Sequence, residues 1–277
     1  MQDHFTHCAA LVREADRDRY LATLFAPAEH RDALFSLYAF DVEISRVRDL
    51  AREPMPGEIR LQWWREVLLG ERTGEAVANP VAAGLVETLS RYKISPDRLA
   101  ELVEAHRFDV YDEPMPSRAE LKSYASRTAG AIFASAGQIL GAATGPSEEA
   151  GQAQTLADVL RLLPRHAARR QLYVPLDVLQ KYGAKPADIF AMHATPELRA
   201  ALAELRLRAR GHLAHITAAK EISARAWPVF LSLAPLRSFL LAMERANYDP
   251  FRPPQAALWR RQWQIWRAPR NPRAYFG

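Results

Sequence analysis

The sequence predicts an all-α fold. Apolar residues return at three- and four-residue steps along nearly the whole chain, no stretch alternates apolar and polar residues long enough to make a sheet, and proline and glycine clusters separate the periodic segments. No internal repeat and no glycine-rich phosphate loop interrupts this pattern.

Residues 6–24 form an amphipathic segment that Pro27 closes, and Pro27, Ala28 and Glu29 open the next helix. Its stretch Leu34 to Leu50, LFSLYAFDVEISRVRDL, puts Leu34, Leu37, Tyr38, Val42, Ile44 and Val47 on one stripe, with Asp41, Ser45 and Asp49 at four-residue steps beside it. That charged line is either a solvated face or a place for chemistry. Pro54, Pro56 and Gly57 read as a break before a helix from Ile59 to Leu69, with Ile59, Trp63 and Val67 on one side, Gln62, Arg65 and Glu66 on another, and Gly70 and Gly74 at its end. Val81 to Tyr92 and Pro96 to Tyr111 give two more helices, the second with Ser95 as N-cap.

A further helix starts at Arg118, capped by Ser117 with Glu120 at the third position. It runs into TAGAIFASAGQILGAATG, where Ala129, Gly130, Ala131, Ala134, Ser135, Ala136 and Gly137 let either another helix or a long ligand come close. Residues 147–163 form a helix that Pro164 should kink or stop, and PRHAARRQLYVPLDVL then gathers Arg165, His166, Arg169 and Arg170 between two prolines. Residues 195–221 make a long amphipathic helix, and 227–246 a more apolar one punctuated by Pro228 and Pro235.

At 277 residues and 49% hydrophobic content the chain can bury a large core, and one helical domain over 1–252 followed by a basic, Trp-rich segment over 253–277 is expected. Lys and Arg exceed Asp and Glu by five, which favours phosphates, anionic lipid headgroups or nucleic acid as partners. The single cysteine, Cys8, excludes an internal disulfide. No apolar run approaches the roughly 20 residues of a membrane-spanning helix, and the N-terminal stretch reads as neither a signal nor a transit peptide. Of His106, His193, His212 and His215, the last two are three residues apart. No cysteine or paired carboxylate accompanies them in the sequence, so packed or exposed histidines without a metal are expected. Nothing resembles a nucleophile elbow.

Two stretches carry a resemblance. YAFDVEISRVRD (Tyr38 to Asp49) resembles the first motif of the squalene/phytoene synthase family, Tyr-Ala-Phe followed by Asp-Asp-x-x-Asp. LADVLRLLPRHAARRQLYVP (Leu156 to Pro175) resembles the second, an Asn-Ile-Leu-Arg-Asp run ending in Tyr-Leu-Pro. DRYLATLFAP near the start, Trp64, and Tyr124 followed by Ala129-Gly130 extend the likeness to nearly the whole chain. It implies a single helical bundle of the isoprenoid (trans-prenyl) synthase type, with an apolar cavity between the helices of the two motifs. In active members the motifs hold a magnesium cluster that binds the diphosphates of two prenyl substrates.

This sequence departs from that pattern. Ser45 and Arg46 occupy the positions of the two leading aspartates, and only Asp49 is kept. In the second motif Asp158 stands where Asn is usual and Arg161 is kept, but Leu162 and His166 replace aspartates and Arg165 replaces an acidic residue. The resemblance therefore implies a vestigial site of Tyr38, Ser45, Arg46, Asp49, Tyr124, Asp158, Arg161, Leu162 and His166, with no metal and no cofactor. Mg²⁺ enters only under the alternative, an active head-to-head prenyltransferase. Arg46, Arg161, Arg165, Arg169 and Arg170, with His166, are expected to face a diphosphate directly, since arginine forks match phosphate oxygens. Otherwise several of them point to solvent or pair with Asp41, Glu43 and Asp49.

AFDVEISRVRD, RLQWW (Arg60 to Trp64) and PRHAARRQLYVPLD (Pro164 to Asp177) resemble a branch of the family that lacks the paired aspartates and serves respiratory complex I assembly. This implies a catalytically degenerate protein, peripheral at the inner membrane on its cytoplasmic or matrix side. Its expected partners are membrane-bound respiratory complex subunits, a prenyl lipid or prenyl diphosphate, and an anionic membrane surface, but not nucleic acid.

The last segment, RPPQAALWRRQWQIWRAPRNPRAYFG, sets Trp259, Trp263 and Trp266 at helical spacing among Arg260, Arg261, Arg267, Arg270 and Arg273, with no acidic residue. It reads as an interfacial helix, or as tryptophans capping the core with arginines solvating the outside.

Overall fold

Asp16 divides the expected 6–24 helix in two. In the computed structural model, which describes residues 3–50, 53–111, 113–142, 145–218, 222–254 and 256–276, α1 (Asp3–Ala15) ends there. Asp16 then accepts the backbone N–H of Arg19 at 3.0 Å as N-cap of α2 (Arg17–Thr23). Arg46 likewise splits the next segment into α3 (Ala28–Ser45) and α4 (Val47–Leu50). Because α5 is Pro54–Leu68, the Pro54, Pro56 and Gly57 cluster read as a break is instead a first turn, where proline's missing N–H costs no bond. After α6 (Thr73–Ala78), Asn79 caps α7 (Pro80–Tyr92) by accepting from the N–H groups of Val81 and Ala82 at 2.9 and 3.1 Å.

The expected 96–111 helix is α8 (Pro96–Ala105) and α9 (Arg107–Val110). The Ser117 hydroxyl accepts from the Glu120 N–H at 3.2 Å, as expected, to start α10 (Arg118–Ala125), which passes through a π-helical turn (Ser126–Gly130) into α11 (Ala131–Ile139). Next, α12 (Ser147–Arg161) stops short of Pro164, which lies in the first turn of α13 (Leu163–Ala168). Two short helices, α14 (Leu176–Tyr182) and α15 (Pro186–Phe190), lead to α16 (Pro196–Ala218). The expected continuation of α16 over 219–221 lies outside the described residues. The apolar 227–246 stretch breaks into α17 (Trp227–Phe230), a 3₁₀ turn and α18 (Ala234–Ala242), and α19 (Leu258–Arg267) and α20 (Pro272–Phe276) follow. Every regular element among the described residues is helical, in agreement with the all-α expectation.

The chain forms two compact units: Met1–Tyr111 with Gly130–Ser147 and Glu221–Ser232, and Asp112–Ala129 with Glu148–Lys220 and Leu233–Gly277. In the first, α1, α7 and α11 pack on α3, whose residues 33–40 are buried without a break. A helix buried on all sides must be apolar all round, which the Leu34 to Phe40 run supplies. The tight crossing explains Gly84, where a Cβ would lie 3.3 Å from Ser36 Cβ and 3.4 Å from Cys8 Sγ. Nearby, the buried hydroxyls of Ser36 and Thr88 satisfy one another at 2.7 Å. Burial pushes the Cys8 thiol up to about 12, so it is an inert packing group.

Further along, α5 turns Gly57, Leu61, Trp64, Val67 and Leu68 inward and leaves Ile59 exposed. A Cβ on Gly57 would stand 3.2 Å from both γ carbons of Val110, so a long-range contact favours the small residue there. The buried Ala131, Ser135, Ala136 and Gly137 of α11 serve close helix packing on α3, one of the two readings of the small-residue stretch.

In the second unit α16 packs on α14, α18 and α20. It carries Glu204, only 9% exposed, which accepts from Lys181 at 2.6 Å, from Arg208 at 2.9 Å and from Arg118 at 3.1 Å. Burial opposes the charge on this carboxyl, but hydrogen bonds from Lys181 and Arg208 more than offset it and hold the pKa down to about 2.

Glu204→Gln is expected to destabilise the protein at pH 7 by about 1–3 kcal/mol, the worth of charge-assisted bonds to a shielded carboxylate. A carboxyl with a depressed folded pKa contributes stability above its unfolded value of about 4.3, and loses it as pH falls through the folded value. Urea unfolding of the wild type and the variant should therefore converge between about pH 5 and pH 2. A gap that stays constant over that range would contradict the assignment.

Candidate functional site

Tyr38, Ser45, Arg46 and Asp49 all lie in the first unit, on α3, its C-cap and α4. Tyr38 is buried, with the Arg19 guanidinium 5.2 Å above its ring, and burial pushes its hydroxyl up to about 12. Arg19 donates to Asp41 and sits 3.7 Å from Asp16. Burial opposes the charge on Arg19, yet Asp41 and Asp16 hold its pKa above the usual value. Arg60 donates to Glu43 at 2.7 Å. Asp41 and Glu43 are thus taken by Arg19 and Arg60, and Arg46 enters no ion pair among the described residues. Ser45 is exposed and donates to its own helix at Val42 O, 3.3 Å away; Arg46 and Asp49 are exposed beyond it.

The remaining candidates lie in the second unit. Asp158 accepts from Arg161 at 2.5 Å and from Gln154 at 2.6 Å, so this carboxylate is engaged on its own helix. Leu162 is half-buried at the turn between α12 and α13. The His166 ring lies 4.4 Å from Tyr173, and Tyr173 lies 6.3 Å from Tyr124, which makes one aromatic cluster of three. Tyr124 precedes the π-helical turn, where the Thr128 hydroxyl donates to Tyr124 O at 2.7 Å. Arg165 is exposed and Arg169 half-buried. Arg170 adopts a left-handed φ of 58° after α13 and stacks 5.2 Å over Phe190.

Three residues at these sites escaped the sequence reading: Arg19, Gln154 and Tyr173. Arg19 and Tyr173 stood inside the quoted motifs, but nothing in their spacing marked them as partners of Asp41 and His166.

The histidines require a correction. His212 and His215 do have a carboxylate beside them, because Glu149 of α12 accepts from His212 at 2.5 Å and lies 3.5 Å from His215. Burial opposes the charge on Glu149, but the two imidazoles hold its carboxyl below the usual range. Among the described residues these three are the one group of such donors close enough to take a metal ion, their ligand atoms lying within 4.8 Å of one another. His106 is likewise paired, to Asp109 at 2.6 Å.

At the far end of the second unit, α19 buries Ile265, with Ala268 just beyond it, and turns Trp259, Trp263 and Trp266 outward at 64%, 49% and 50% exposure. The tryptophans therefore do not cap the core. Arg260, Arg267 and Arg270 stack on them at 5.1, 4.9 and 4.1 Å, and the side chain of Arg273 lies outside the described ones.

The squalene/phytoene synthase family model matches residues 12–267. Complex I assembly factor 6 from Homo sapiens is 28% identical over 91% of this chain and 76% of its own length. The 15-cis-phytoene synthase of Synechococcus elongatus is 24% identical over 91% of this chain and 87% of its own. Among solved structures, a dehydrosqualene synthase in complex with ligand superposes with a TM-score of 0.83 at 16% identity, over 99% of this chain and 98% of that one. Squalene synthase HpnC from Alicyclobacillus acidocaldarius gives 0.75 at 24% identity, over 90% and 95%. The fold is the isoprenoid synthase fold, and the match over residues 12–267 makes the chain a member of the squalene/phytoene synthase family.

Proposed function

We propose that this protein is a non-catalytic member of the family that acts in the assembly of a membrane-bound respiratory complex. The observation that carries the reading is the pair Ser45 and Arg46 at the exposed end of α3, where the resemblance places two aspartates. Mg²⁺ requires several hard oxygen ligands, and a guanidinium repels it. Asp49 and Asp158 are the carboxylates left at these positions, and Asp158 already serves Arg161 and Gln154. This donor set does not fit a magnesium cluster, so no step is routed through one. The human relative's name, a complex I assembly factor, supports the assembly role.

A head-to-head prenyltransferase is the second reading, kept by Tyr38, Asp49, Tyr124, Asp158 and Arg161 and by the phytoene synthase relatives. Incubation with farnesyl or geranylgeranyl diphosphate and Mg²⁺ separates the two. No release of inorganic diphosphate is expected; release that needs Mg²⁺ and disappears in Asp49→Asn would establish the enzyme. In this reading a prenyl diphosphate, where bound, meets Arg46, Arg161, Arg165, Arg169 and Arg170 with His166, without a cation. Titration should give the same affinity with and without EDTA, and a dependence on Mg²⁺ would count against it.

The site of action is a membrane face. No helix among the described residues is long and apolar enough to cross a membrane. The outward Trp259, Trp263 and Trp266 of α19, each with an arginine on its ring, suit the boundary between acyl chains and anionic headgroups. Truncation would also remove the buried Phe276, so substitution of the exposed tryptophans is the cleaner probe. Wild-type protein should float with phosphatidylglycerol vesicles at low salt and less at high salt, and Trp263→Ser/Trp266→Ser should lose most of that recovery. Equal recovery of the two proteins would reject the membrane contact.

A further inference from the structure

A cavity of about 210 Å³ in the second unit, whose lining includes no residue of either motif or of α19, is bounded by Arg199, Arg206, Arg245 and Tyr248 together with Leu202 and Met243. Two polar atoms of residues in this lining, the Tyr248 hydroxyl oxygen and Arg206 Nε, are buried with no hydrogen-bond partner among the described residues. Leaving such a group unpaired costs about 1–3 kcal/mol each, so native proteins rarely tolerate it without a bound water or ion.

Two of the three arginines are positioned by backbone carbonyls. Arg206 Nη1 donates to the carbonyl of Met243 at 3.1 Å, and Arg199 donates to the carbonyls of Tyr248 and Ala194. A carbonyl positions a guanidinium without neutralising it. Glu244 forms an ion pair with Arg206 Nε at 3.7 Å, too long for a hydrogen bond, and shares its carboxylate with Arg210 at 2.6 Å. Arg245 enters no ion pair among the described residues. Water filling the cavity would satisfy the hydroxyl and Nε, but it would leave the charges of Arg199 and Arg245 without a counter-charge among the described residues.

We propose that this cavity is a binding subsite for a phosphate group, which accepts from the Tyr248 hydroxyl and Arg206 Nε while Arg199 and Arg245 supply the remaining charge. An oxyanion with several acceptor oxygens satisfies both orphaned donors and the charge at once. Burial, and then Asp249, push the Tyr248 phenol up to about 12, so at neutral pH it keeps the proton it must donate. The volume accommodates a phosphate group but not an isoprenoid or acyl chain along with it. The ligand is either free phosphate or the headgroup of a phospholipid whose chains stay outside.

Calorimetric titration of the full-length protein with inorganic phosphate, at ionic strength matched with chloride, tests the subsite alongside Tyr248→Phe and Arg206→Met. Phosphate is expected to bind the wild type, and each variant to bind about tenfold more weakly. Tyr248→Phe removes only an unpaired hydroxyl, so it should melt no lower than the wild type without phosphate and keeps the test independent of folding. A second arm uses flotation with phosphatidic acid vesicles against phosphatidylglycerol vesicles. No phosphate binding, combined with a Tyr248-dependent preference for phosphatidic acid, would identify the headgroup as the source. Phosphate binding equal in all three proteins, or no binding in either arm, overturns the proposal. Neither result bears on diphosphate release, so the subsite stands or falls separately from the reading of the protein as non-catalytic.

Discussion

A charged residue on a helix that is otherwise enclosed must bring its counter-charge with it, and in the first unit that requirement is met by Arg19 and Asp41. α3 is packed by α1, α7 and α11, and Asp41 follows directly on the continuous buried run of residues 33–40. The Arg19 guanidinium compensates Asp41, lies over the Tyr38 ring and is flanked by Asp16, which also caps α2. One cation thereby ties the start of α2 to the face of α3 and fixes the position of Tyr38. With that face fixed, the C-terminal turn of α3 carries Ser45 and Arg46 out of the core.

The features legible in the sequence are those that depend on near neighbours. Leu34, Leu37, Tyr38, Val42, Ile44 and Val47 fall on one stripe and are all buried, Ser117 caps its helix, and Pro164 marks the end of α12. The motifs gave the family for a related reason, since order and spacing along the chain are local information. Residues chosen by distant contacts were not legible. Gly57 reads as a helix breaker, yet it lies in a first turn, where a Cβ would press on Val110. Glu149 meets His212 across 63 positions, and Arg19 meets Asp41 across 22. In α19 the period defines two stripes, one through Ile265 and Ala268 and one through Trp259, Trp263 and Trp266. Hydrophobicity alone would send the tryptophans inward, and the packing decides otherwise.

The protein's surplus positive charge is used in physically distinct ways. Around Glu204 three cations converge on one carboxylate, a structural use in which attraction is spent inside the unit. On α19 and just after it the guanidinium groups rest on the faces of exposed indoles. In the cavity at Tyr248, Arg199 and Arg206 are tethered through carbonyls, which position a guanidinium without neutralising it. Net charge predicted affinity for anions in general. The distinction between an arginine that is neutralised and one that is only positioned comes from its acceptors, and the sequence does not contain that information.

Ser45 and Arg46, where the resemblance places aspartates, are compatible with an intact fold because these positions contribute little to burial. Ser45, Arg46 and Asp49 are exposed, and Asp158 and Arg161 satisfy each other on the surface of a single helix. The core of α3 is made by Leu34, Leu37, Ala39 and Phe40, none of which would contact a diphosphate from within the packed helices. Exchanging a carboxylate for a guanidinium at position 46 therefore costs almost nothing in packing, while it reverses the sign of the charge offered to a cation. The same separation accounts for a TM-score of 0.83 to a dehydrosqualene synthase at 16% identity. A scaffold held by apolar contacts and buried ion pairs can keep its shape while the exposed residues it carries change.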